Sequence, residues 1–248
     1  DTGSESPTES SEPTSEGTGD AEWSSPYTAE AGEVGGPACG VPHGPYGDPG
    51  EPSGSVSVGY NELATSFNRD SGHGNSTYNA NVLYLMSGPG LSYYDGDSQL
   101  INNTNFGTCT LMSLDPLQVK YTIAPGVQWS DGVPVTAADI VMGWIASSGF
   151  YNTGEIPDEA YTEDGNLLPF DAIAFDSSSP ASALVTDFPE ISDDGASVTF
   201  TYSKFYVDYD VAFGVGVPAH VVATHALGED DPAQATTDMM TLAKDLLG

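Results

Sequence analysis

The opening fifty or so residues of this chain cannot support a hydrophobic core, and that fixes where a domain can begin. Residues 1–21 are almost entirely Asp, Glu, Ser, Thr, Gly and Pro, a composition that buries too little apolar surface to offset the entropy of ordering. Residues 22–54 add Trp23, Tyr27, Val34, Val41 and Tyr46 but stay rich in Pro and Gly. They read as a linker whose later half lies down on the folded part. Residues 1–54 are therefore expected to form a disordered acidic tether, and residues 55–248 the folded lobe. A tether of about fifty residues reaches several nanometres, and like charges stretch it further.

Charge narrows the partners. Four basic residues (Arg69, Lys120, Lys204, Lys244) face 36 acidic ones, for a formal net charge of −32 over 248 residues. Such a surface repels a phosphate backbone, so nucleic acid is not an expected partner, and it repels anionic membrane for the same reason. No run approaches the roughly 18 consecutive apolar residues of a membrane span. The two cysteines, Cys39 and Cys109, are too few for a disulfide scaffold and lack CxxC spacing. Their spacing leaves open whether they pair or stay separate thiols.

Residues 55–60 (SVSVGY) alternate with period two and read as a strand, followed by a polar loop to residue 75. Tyr78, Val82, Leu83, Leu85 and Met86 predict a helix over 76–86 with one apolar face. Short strands are expected at 91–94, 99–102, 109–114 and 117–123, with Asp115-Pro116 turning between the last two. The best helix signal covers 136–147. Thr136 is a good N-cap, Asp139 sits at the capping-box position, and Ile140, Val141 and Trp144 share a face. A hairpin over 184–191 and 197–202 turns at Asp193-Asp194-Gly195. Helices over 218–227, with Pro218 at N1, and 232–247 complete the reading.

The stretch VKYTIAPGVQWSDGVPVTAADIVMGW, residues 119–144, closely resembles the signature of family 5 extracellular solute-binding proteins, the oligopeptide, dipeptide and nickel receptors of ABC importers. The match runs through Gly126, Trp129, Ser130, Asp131, Gly132, Pro134, Thr136, Ala137 and Asp139. Read physically, the motif is structural: Asp131-Gly132 turns, Pro134 stiffens, Thr136 caps, and Asp139 complements the helix dipole. VGYNELATSFN (58–68) is similar to the family's opening strand and cleft loop. ISDDG (191–195) and Val217-Pro218-Ala219-His220-Val221 resemble a later passage, so the likeness covers roughly 55–227. The style of tether looks like the actinobacterial lipoprotein branch.

The resemblance implies a mixed α/β fold, the first lobe of a class II periplasmic-binding-protein-like architecture with a β-rich subdomain around 75–170. Family members run to roughly twice this length, which implies a fragment lacking the second lobe, with some core left uncovered. It also implies a non-enzymatic receptor that captures short peptides and docks on importer permease subunits. Its place would be the extracellular face of the plasma membrane, held by a lipid anchor upstream. By resemblance Tyr60, Asn61, Glu62, Thr65, Ser66, Phe67 and Asn68 line the cleft, where backbone and small polar groups would hydrogen-bond an extended peptide. Tyr93, Tyr94, Tyr151, Tyr202, Tyr206 and Tyr209 are mostly expected to pack.

Metal and cofactor chemistry find no pattern. His220 and His225, five apart, fall on different faces of a helix, His43 and His73 lie in Gly-rich loops, and no DxDxDG-like loop is present. No cofactor is expected. There is no GxSxG, HExxH, P-loop or GxGxxG after a strand. Two other readings stay open: a secreted glycosidase-like enzyme, and a surface adhesion or interaction module on an acidic stalk.

Overall fold

The alternation in residues 107–123 becomes the centre of the fold. In chain order the elements are β1 (Val41–His43), α1 (Thr77–Ser87), β2 (Ser92–Tyr94), β3 (Leu100–Asn103), β4 (Gly107–Leu114), β5 (Leu117–Ile123), α2 (Ala137–Ser148), α3 (Pro180–Ala183), β6 (Glu190–Ile191), β7 (Ser197–Thr201), α4 (Ala219–Leu227) and α5 (Pro232–Leu247). The computed structural model describes residues 32–44, 53–68, 71, 74–88, 90–163, 168, 170–175 and 177–248. It is a mixed α/β arrangement with two sheets.

Four antiparallel strands in the order β4-β5-β7-β6 form the main sheet. Along β5 every second residue, Leu117, Val119, Tyr121 and Ile123, is buried, while Gln118, Lys120 and Thr122 between them are half-buried. The period-two pattern therefore selects one face. Against that face lies α2, through Ile140, Val141, Trp144 and Ile145. Trp144 is fully buried and its indole N–H donates to the carbonyls of Ser182 (3.1 Å) and Val185 (3.2 Å), so the largest core side chain leaves no polar atom unsatisfied. Phe188 and Tyr151 meet its ring edge-to-face at 5.8 and 5.9 Å.

The second sheet, ordered β1-β3-β2, pairs β1 parallel and β2 antiparallel to β3. Its outer strand comes from the segment expected to be linker. Residues 35–38 also run along the free edge of β4: Gly35 N donates to Leu111 O (2.7 Å), Leu111 N to Gly36 O (3.0 Å) and Ala38 N to Cys109 O (3.1 Å). Covering an edge in this way removes a template for intermolecular pairing. Cys39 and Cys109 are joined by a disulfide with Cα atoms 5.4 Å apart and a sequence separation of 70. Residues 32–44 are thus part of the fold and not of the tether. The rest of the expected tether, 1–31 and 45–52, lies outside the described residues, as do Arg69 and His73.

Three other expectations change. Residues 55–60 are not a strand: Val56 (86% exposed) and Val58 (62%) find no partner strand among the described residues, and alternation alone cannot supply ladder hydrogen bonds. The hairpin arm at 184–189 is shortened to Glu190–Ile191, because α3 and the loop after it bury Ala181, Ser182 and Val185 instead. Pro218 is the N-cap of α4 and not its first helical residue.

The disulfide closes a long loop, and chain-entropy arguments assign such a cross-link about 2–4 kcal/mol. Replacing Cys39 and Cys109 together by Ser is expected to lower the unfolding free energy by about that amount, measured by urea denaturation. An unchanged midpoint would show that the backbone bonds of residues 35–38 suffice.

Candidate functional site

The signature segment folds around a buried carboxylate. Asp139 sits one turn into α2, where its Oδ2 accepts the Thr136 N–H at 2.7 Å, completing the capping box. Its Oδ1 accepts the Ala219 N–H, also at 2.7 Å, across 80 residues of sequence. That donor is the first N–H of α4, whose N-cap Pro218 has no side-chain acceptor of its own. One carboxylate therefore caps two helices, and both helix N-termini direct partial positive charge towards it. Burial pushes the Asp139 carboxyl above its ordinary range, while the Thr136 and Ala219 N–H groups and the nearby Trp129 indole pull it back.

A second link runs beside the first. Asp131, in the turn that Gly132 permits with φ +88°, uses Oδ1 to accept the Val133 N–H (3.0 Å) and Oδ2 to meet His220 Nε2 at 2.8 Å. His220 is buried and its ring lies 6.3 Å from that of Trp129. Hydrogen bonds from His220 and from the Val133 N–H hold the Asp131 carboxyl below its ordinary value. The sequence alone marks Asp131 and Asp139 as turn and cap within one family-like passage and His220 as part of another, without joining them. Their pairing depends on contacts 80 and 89 residues apart, which no local pattern reports.

The loop predicted to line a cleft is a different place. Tyr60, Asn61, Glu62, Thr65, Phe67 and Asn68 are exposed and Ser66 half-buried. Leu63 (85%) and Phe67 (74%) present apolar surface to solvent. The loop is tied to α1: Tyr60 Oη accepts from Asn81 Nδ2 at 2.6 Å, and Thr65 N donates to Asn79 Oδ1 at 2.9 Å. Ser66 Oγ accepts the Asn68 N–H (3.1 Å) and donates to the Asn68 carbonyl (3.3 Å), curling the tip. Asn79 was not among the predicted residues. A polar residue inside an expected apolar helix face is its one sequence trace.

An open groove of about 480 Å³ runs beside the two links, lined by Asp139, Phe188, Ile191, His220, Met240 and Lys244 among others. None of the predicted loop residues lines it. A smaller hollow of about 300 Å³ between Val41, His43, Tyr93, Asp95 and Gln99 flanks the second sheet. Of the tyrosines, Tyr151, Tyr202 and Tyr209 are buried and Tyr94 is exposed. His225 is exposed, on a different face of α4 from His220. Among the described residues no group of three or more His, Cys, Asp or Glu could hold a metal ion, and no helix is long and apolar enough to cross a membrane.

No family model matches the chain. Uncharacterized lipoproteins of Mycobacterium tuberculosis and Mycobacterium bovis are 32% identical over 83 residues, covering 29% of this chain and 15% of each relative. An uncharacterized lipoprotein of Mycobacterium leprae is 28% identical over 159 residues, 59% of this chain and 25% of the relative. The matched region thus spans a quarter or less of the length of these relatives. Among solved structures, the periplasmic EDTA-binding protein EppA is similar with a TM-score of 0.47 and 24% identity, over 71% of this chain and 28% of that one.

Two outcomes follow from the links. Asp139→Ala strips the buried Ala219 N–H and the half-buried Thr136 N–H of their carboxylate acceptor and is expected to cost about 3 kcal/mol in urea melts; a loss under about 0.5 kcal/mol would show that water replaces the carboxylate. For Asp131 the folded-state pKa is depressed, so its stabilisation is complete above the unfolded value of about 3.9 and fades as pH falls through the folded one. Wild type and Asp131→Asn should therefore differ in melting temperature at pH 5 and converge as the pH falls through the depressed folded-state value. A difference that stays constant with pH would remove the ionised carboxylate as its cause.

Proposed function

We propose that this chain is part of a surface-anchored solute receptor that captures short extracellular peptides and passes them to the permease subunits of an ABC importer. The observation that carries the reading is the clasp between the two separated passages that resemble that receptor family. Asp139 and Asp131 of the signature hold Ala219 and His220 of the later passage at 2.7 and 2.8 Å. A chance likeness in two short motifs has no reason to place their most distinctive residues in mutual contact. The class is therefore favoured by long-range geometry as well as by local sequence.

The peptide ligand is favoured by the loop at 60–68. It combines exposed polar groups with exposed Leu63 and Phe67 on a segment held by side-chain hydrogen bonds, which suits recognition of an extended backbone with apolar side chains. Anchoring outside the cell is favoured by the mycobacterial relatives, which carry the name lipoprotein. The role is binding without turnover.

The test is a thermal-shift and calorimetric titration of the full chain with a pool of di- to pentapeptides. A ligand at about 100 times its Kd stabilises the folded state by about 2.7 kcal/mol, several degrees in melting temperature. A shift with peptides and none with free amino acids is expected. Stabilisation by nickel chelates, haem or sugars in place of peptides would move the ligand class, and silence from all of them in a protein carrying both lobes would end the receptor reading.

A further inference from the structure

Among the described residues, the candidate ligand loop buries no apolar side chain of its own. In α1, against which it lies, Leu85 and Met86 are each 66% exposed, and the one buried side chain among those described is the polar Asn79, at 0%. Its carboxamide is devoted to the loop. Oδ1 accepts the Thr65 N–H at 2.9 Å, while Nδ2 donates to Thr65 Oγ1 at 3.2 Å and to the Gly74 carbonyl at 2.9 Å. The orientation of the amide is fixed by its partners, because the reverse would set its oxygen against the Gly74 carbonyl and its NH₂ against the Thr65 N–H. Both donors and the acceptor are engaged, and all bridge to the two ends of a single loop.

The loop closes tightly on this anchor. Ser71 Oγ donates to the Asn68 carbonyl and accepts the Gly74 N–H, both at 3.0 Å. A Cβ on Gly74 would collide with the Asn68 carbonyl oxygen, so glycine is required there by close backbone approach. At the other end of the closure, Ser76 caps α1 by accepting the Asn79 N–H at 3.3 Å. The helix start, the loop closure and the loop's outward edge therefore meet at one residue.

We propose that Asn79 is the positioning residue of the peptide-binding loop: it touches no ligand and holds residues 65–68 in the conformation that does. The proposal rests on the reading of residues 60–68 as the ligand loop. A loop whose own apolar side chains are exposed would otherwise sample many conformations, and binding would select one of them. If removing the anchor leaves the competent conformation populated about one-tenth of the time, apparent affinity falls about tenfold.

The experiment compares wild type, Asn79→Ala, Thr65→Val and Val141→Ala as full chains. The last variant opens a cavity in the core between α2 and the main sheet, remote in sequence from the loop, and serves as a matched loss of global stability. Two readouts are taken: amide hydrogen exchange of residues 60–68, and the concentration of a tri- to pentapeptide pool that gives half-maximal thermal stabilisation. Asn79→Ala is expected to speed exchange at Thr65 and its neighbours and to raise the half-maximal concentration about tenfold. Thr65→Val, which removes one of the three bonds, should do both to a smaller extent, and Val141→Ala neither. Unchanged exchange at Thr65 in Asn79→Ala would overturn the anchoring. Faster exchange with an unchanged peptide response would overturn the positioning role, as would an equal loss of response in Val141→Ala. If the wild type does not respond to peptides at all, the ligand reading falls and the positioning role with it, while exchange alone still reports whether Asn79 anchors the loop.

Discussion

The carboxyl group of Asp139 is buried with no cation among the described residues in hydrogen-bond contact, and the packing of α2 against α4 depends on how that group is accommodated. Two helix N-termini do the work. Thr136 N–H and Ala219 N–H each approach to 2.7 Å, so the ion is solvated by backbone dipoles that would otherwise be unsatisfied at the starts of two helices. Each side removes a cost from the other: an isolated buried carboxylate is prohibitive, and so is a buried helix start without an acceptor. Neither Asn nor Glu offers the same two short bonds from one residue at that reach. The main sheet packs on α2, so this junction also fixes where α4 and α5 can lie.

The same device recurs through the chain, and composition explains why. With four basic residues against 36 acidic ones, carboxylates cannot generally find cations. They find N–H groups. Asp95 accepts from the backbone of Asp97 and Gln99, Asp194 from Ala196 and the Ser192 hydroxyl, and Asp231 from Ala233 and Gln234. Each is an Asx turn or a helix cap. An acidic chain is thereby able to use its charges as local structure-formers, turning a repulsive surplus into turns and helix starts. His220 with Asp131 is a different solution, an ion pair when the imidazole is protonated, at the place where the two resembling passages meet.

Much of this was legible in sequence, and the division follows the range of the interactions. The capping box at Thr136 and Asp139, the alternation of 117–123 and the Asp-Gly turn at 194–195 are local signals, and the elements form where those signals place them. Residues 32–44 read as linker because Gly and Pro dominate, with only the later half of 22–54 expected to lie on the folded part, yet hydrogen bonds to β3 and β4 and the Cys39–Cys109 disulfide hold the whole stretch. Residues 55–60 failed in the opposite sense, since alternation predicts a strand only where a neighbouring strand offers its edge. The partners of His220 and Asn79 could not be read locally, because they lie 89 and 14 residues away. Tertiary contacts decide such cases, and local pattern has no access to them.

The contrast between the two sites bears on what the molecule can do. Around Asp139, beside the open groove, short bonds join elements that also share the apolar core, so that part of the frame cannot shift without breaking them. Around residues 60–68 the loop's apolar side chains Leu63 and Phe67 lie in solvent beside its polar ones, while the side chain buried beneath it is the polar Asn79 of α1. That inversion is costly for a surface meant only to be wetted. It is economical for one that must present apolar groups to a ligand and still keep its shape, because hydrogen bonds to a buried amide orient a loop more narrowly than non-directional packing does. The receptor proposed above would need both behaviours in one lobe, a rigid frame to carry the loop and a loop whose exposed side chains are held ready without being consumed by the core.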